Sequence, residues 1–112
     1  MGSFDDTYAH SSVYELEDAE QDTIALLSVI ESIRKRILNA REDLLYSDLG
    51  GFRQNKYASN LDGMIKNMNY LISKLGIVED GLFDVPIRLR EVYSALQGTL
   101  TEIEDESVEV SK

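Results

Sequence analysis

The sequence predicts an all-α protein: an antiparallel helical hairpin extended to a three-helix bundle, with one long N-terminal helix and two shorter helices. Three observations carry that expectation. Apolar residues recur at alternating spacings of three and four over three long stretches, the period of one helix face. Glycine and proline fall between those stretches, where helices stop. Strict alternation of apolar and polar residues, the mark of a half-buried strand, occurs only weakly, from Ser107 to Val110.

Residues 1–11 show no period and are rich in small and polar types, so they read as a disordered N-terminal arm. The bundle domain is expected over residues 12–103. Ser12 and Glu15 stand at the capping-box spacing, in which a hydroxyl and a carboxylate each satisfy an orphan backbone amide. From there Leu16, Ala19, Thr23, Leu26, Ile30, Ile33, Ile37, Ala40 and Leu44 form an apolar seam, with Ile24, Leu27, Leu38 and Leu45 widening it. Arg34, Lys35, Arg36 and Arg41 lie in the second half, opposite the negative end of the helix dipole. The first helix is therefore expected from about Val13 to Tyr46, roughly 50 Å of helix at 1.5 Å per residue.

The period stops at Ser47-Asp48-Leu49-Gly50-Gly51. Paired glycines weaken a helix interior but readily supply a helix C-terminus and a turn, and a turn is the reading adopted here. The seam resumes with Tyr57, Leu61, Met64, Met68, Leu71 and Leu75, flanked by Ala58, Ile65 and Ile72, and Gly76 is placed to end that helix. The stretch GIVEDGLFDV reads as an unusually apolar connector with a turn at Glu79-Asp80-Gly81. Asp84 and Pro86 suit the start of a third helix, whose seam is Leu89, Tyr93, Leu96, Leu100 and Ile103. Residues 104–112 read as a disordered acidic tail.

Composition removes several classes of function. The chain has 112 residues, one modest domain at most, and no cysteine, so disulfides, thiol catalysis and cysteine-bound metal are excluded. No apolar run reaches the roughly 18 residues of a membrane span, and no secretory leader is evident, so a soluble, cytoplasmic protein is expected. The net charge is −10 and unevenly spread: residues 1–30 carry seven acids and no lysine or arginine, whereas residues 31–90 are close to neutral. That balance disfavours nucleic acid and anionic lipid as partners.

No catalytic, cofactor-binding or metal-binding residue is assigned. Gly50-Gly51 lacks both the Gly-x4-Gly-Lys-Ser/Thr pattern of a phosphate loop and the spaced glycines of a dinucleotide site. His10 is the single histidine, with no second ligand type arranged around it in sequence. The Arg34-Lys35-Arg36 cluster is read as surface pairing with nearby acids. In layout, with amphipathic helices about a central Leu49-Gly50-Gly51 turn, the chain resembles the WXG-type helical hairpins of type VII secretion systems and their LXG-associated partners. It departs from them in having no tryptophan, in carrying Gln97 where an acid would follow Tyr93, and in the interrupting Pro86, so no site residue is carried over.

The function expected is a non-enzymatic helical protein–protein interaction module: an adaptor, a small chaperone-like partner or a subunit of a helical assembly. It would dock through its apolar seams as a homodimer or hetero-oligomer. The partner-binding residues are taken as Leu16, Ile24, Leu27, Ile30 and Leu38, the part of the long helix that a shorter helix leaves uncovered, with Leu82 and Phe83 of the connector. The alternatives are an acidic inhibitor or antitoxin-like protein masking a basic surface, and the secretion-associated hairpin that the resemblance implies.

Overall fold

The computed structural model describes residues 6–47 and 57–111. They form three helices in order: α1, Thr7–Tyr46; α2, Ala58–Leu82; and α3, Val85–Ser111. The described residues hold no strand, and the predicted order of one long helix followed by two shorter ones is found. The predicted turn at Gly50-Gly51 lies outside the described residues.

The boundaries differ from expectation in three places. α1 starts at Thr7, and the amide of His10 already bonds the Asp6 carbonyl at 2.9 Å. The Ser12 capping box is consequently not formed; the Ser12 hydroxyl donates instead to the Tyr8 carbonyl one turn back, at 3.0 Å. At its other end α1 stops at Tyr46 as predicted. The connector after Gly76 is helical: α2 runs through Gly76 and the Glu79-Asp80-Gly81 triplet to Leu82. No described glycine has a positive φ, so the conformational freedom that suggested a stop is unused. α3 extends past Ile103 into the acidic segment, with backbone helical to Ser111.

What ends α2 is Pro86. It has no amide proton to give the Leu82 carbonyl, and its ring crowds that same carbonyl. Phe83, next in the chain, still has helical dihedrals of φ −56° and ψ −42°. The helix restarts at Val85 with Pro86 in its first turn, where a missing donor costs nothing, and the Arg88 amide bonds the Asp84 carbonyl at 3.0 Å.

The chain divides into two compact units, each built on one half of α1. The terminal unit is Met1–Ala25 with Asp84–Lys112 and the central unit is Leu26–Phe83. Within the terminal unit α1 and α3 are antiparallel: moving up α1, His10 pairs with Glu104, Glu17 with Gln97 and Glu20 with Tyr93. Within the central unit α1 and α2 are antiparallel too, Arg34 pairing with Glu79 at 2.7 Å and Arg41 with Asn69 at 2.6 Å.

Each unit has a thin core. Val13 and Leu100 are the buried aliphatic side chains of the terminal unit, with Pro86 and Glu20 also buried; Ile30 and Leu61 are those of the central unit. On α1 the inward positions are Val13, Leu16, Glu20, Thr23, Leu27, Ile30, Arg34, Ile37, Arg41 and Leu44, alternating three and four. Half of the predicted seam, Leu16, Thr23, Ile30, Ile37 and Leu44, is therefore inward. The other half is displaced by one residue: Glu20, Leu27, Arg34 and Arg41 stand inward where Ala19, Leu26, Ile33 and Ala40 were expected. α2 shows the same displacement, with Ile65 and Ile72 inward and Met64 and Leu71 exposed, whereas the predicted seam of α3 is inward throughout.

Candidate functional site

The displaced stripe defines the most distinctive surface of the central unit. Leu26 and Ile33 each directly precede an inward residue of α1; Met64, Leu71 and Val78 each directly precede one of α2. In an antiparallel pair, residues that precede the seam on the two helices emerge on the same side, and residues that follow it emerge on the other. The terminal unit displays the rule: His10, Glu17, Gln97 and Glu104 all follow a seam residue, and they pair across one side.

On the preceding side of the central unit the side chains are aliphatic and between 39% and 48% exposed. Val29 and Tyr57, also exposed, extend the patch. A shallow cavity of about 140 Å³, lined by Tyr57, Asn60, Leu61 and Met64, opens on the same side. Two helices in contact can cover only one strip of each other, so a second apolar strip on both of them has no partner inside such a pair. Five aliphatic side chains aligned on one side are unlike the scattered single exposures that every soluble protein shows.

A second cluster lies inside the terminal unit. Glu20 is only 4% exposed, yet it is a carboxylate at a seam position of α1. It accepts from Arg90 Nε at 2.8 Å and from the Tyr93 hydroxyl at 2.8 Å, both on α3. These charge-assisted bonds replace the water that burial removes. The Glu20 hydrogen bond, followed by desolvation, holds the Tyr93 hydroxyl above its ordinary titration range. In the central unit Arg34 occupies a seam position in the same manner, its guanidinium bonded to Glu79. Lys35 pairs with Glu31 one turn back at 3.0 Å, and that hydrogen bond keeps the Glu31 carboxyl below the usual carboxylate range. Lys35 thus shows the predicted surface pairing with a nearby acid, whereas Arg34 pairs across the seam with a distant one.

The third cluster corrects the reading of His10. The sequence gives it no neighbouring ligand, but the fold supplies two: Asp6 one turn earlier, Oδ2 to Nε2 2.6 Å, and Glu104 from α3 at 3.4 Å. One ligand atom of each lies within 4.8 Å of the others, a spacing that a divalent cation could bridge. His10 Nε2 already lies against both carboxylates, and the His10 side chain is 46% exposed, so the arrangement also stands as a polar surface cluster joining α1 to α3.

The partner-binding residues expected from sequence are dispersed. Phe83 is 70% exposed and Ile24 is exposed as well; Leu16, Leu27, Leu38 and Leu82 are half-buried on or beside the seams. Ile30 is 7% exposed and belongs to the core of the central unit, so its place among surface residues is corrected: its own chain covers it. The residues that sequence reasoning assigned to the core, Leu26, Ile33, Met64 and Leu71, form the open strip instead. A signal was present, since Ile65 and Ile72 flank the predicted seam of α2, but choosing between adjacent stripes needs the partners of Arg34 and Arg41. No described helix is long and apolar enough to cross a membrane. Compared with protein-family models, with characterised proteins and with solved structures, the chain matches none.

Proposed function

We propose that this protein is a non-enzymatic helical interaction module that docks protein helices on the open side of its central unit. The observation that carries the reading is the second apolar strip, Leu26 and Ile33 on α1 with Met64, Leu71 and Val78 on α2, exposed beside a seam that is already filled. Two antiparallel helices with apolar residues on one outer side are two parts of a three- or four-helix layer, and the missing part is supplied by association. Coiled-coil-like spacing of the inward positions makes the pair a stiff platform for that contact. The strip is aliphatic, which suits desolvation of a partner helix and offers no nucleophile or proton carrier to a substrate.

The test is whether the strip is accessible and adhesive in solution. At high dilution the full chain should enhance the fluorescence of anilinonaphthalene sulfonate, which lights up on exposed apolar surface. I33D and L71D should abolish that enhancement while leaving the helical circular dichroism intact. A dilute wild-type chain that leaves the dye dark would sink the reading.

A further inference from the structure

The occupant of the strip can be narrowed by the charges beside it. In the central unit the positions on the outer flank of the strip carry Arg36 on α1 and Lys74 on α2, against Asp43 as the opposing charge. In the terminal unit the positions that directly precede the seam include Ala19 and Val92, and their flank carries acids: Glu15 and Asp22 of α1 and Glu102 of α3, against Arg88. A shallow apolar cavity of about 210 Å³, lined by Val85, Arg88, Leu89 and Val92, opens there. The central side thus carries two bases and one acid on its flank, and the terminal side carries three acids and one base beside a shallow apolar depression.

We infer that the base-flanked strip of the central unit takes the acid-flanked side of the terminal unit of a second copy of this chain. The inference rests on the docking reading above and names its partner. Two central strips meeting each other would bring Arg36 and Lys74 toward their own copies, and two terminal sides would oppose Glu15, Asp22 and Glu102. The crossed contact places opposite signs together.

The test is sedimentation velocity of the full chain over a wide concentration range, with circular dichroism as the folding control. The wild type should dimerise, and I33E should raise the dissociation constant at least about thirtyfold, as loss of a central apolar contact does. R36E/K74E and E15K/D22K should each weaken the dimer alone, and an equimolar mixture of the two should recover it, because both crossed contacts are then restored. High salt should weaken the wild-type dimer. A chain that stays monomeric yet lights the dye overturns self-association and leaves the docking reading standing; a monomer that leaves the dye dark removes both. A dimer broken by I33E but indifferent to the charge exchange overturns the crossed contact, because like sides then meet.

Discussion

At the scale of single residues, Glu20 shows how a charged side chain can take a core position. Its two donors come from α3, seventy or more positions along the chain. Replacing Glu20 by alanine leaves the half-buried Tyr93 hydroxyl without its acceptor, while Arg90, 65% exposed, turns to water. The expected loss is about 1–3 kcal/mol, measurable by urea denaturation. Ile30→Ala, at an apolar core site, should cost about 2–4 kcal/mol by the same measurement. Tyr93 predicts a pH dependence. Its folded titration lies above the ordinary phenol range because Glu20 binds the protonated hydroxyl. The stability it adds is therefore complete below about pH 10, the unfolded phenol value, and is lost as pH rises through the folded one. The stability difference between wild type and Tyr93→Phe should shrink above that pH; a difference that stays constant would place Tyr93 outside the network. Sequence reasoning could not see this cluster. Hydropathy favours Ala19, Ile33 and Ala40 over the adjacent Glu20, Arg34 and Arg41, and the fact that those three have partners across the seam is written far away in the chain.

At the scale of elements, α2 and α3 are separated by proline chemistry and not by the glycines that looked like punctuation. Gly76 and Gly98 sit inside helices, and an added methyl at either meets nothing within 4 Å. Gly76→Ala and Gly98→Ala should each raise stability by about 0.5–1 kcal/mol, through helix propensity and a less mobile unfolded chain. A loss at Gly76 would point to a helix stop at that residue after all. The helices themselves were legible because a period of three and four survives in α1 and α2 even where half of the assigned seam is displaced by one residue. The continuation of α2 was less so, because Glu79-Asp80-Gly81 has turn composition. Its helical state is supported by Glu79, which reaches Arg34 across the pair from a seam position. The acidic segment after Ile103 was read from composition alone, and the helix runs through it.

At the scale of the whole molecule, the acids gather in one unit and the bases of the middle segment in the other, while each unit closes only a thin core. Fold class was readable from period and punctuation, and the excess of apolar side chains was readable too. Which side they occupy was not, because that depends on which of two adjacent stripes faces inward. The polar seam residues have a consequence for alignment. A pair of rods greased uniformly along one line can slip by seven residues at little cost, since every layer then looks alike. Here a slip of that length would carry Glu20 from Tyr93 to Pro86 or Leu100, and Arg34 from Glu79 to Ile72, leaving a bare charge against hydrocarbon. The same few groups that spoiled the apolar pattern act as the teeth of a ratchet, holding the helices of each unit at one setting.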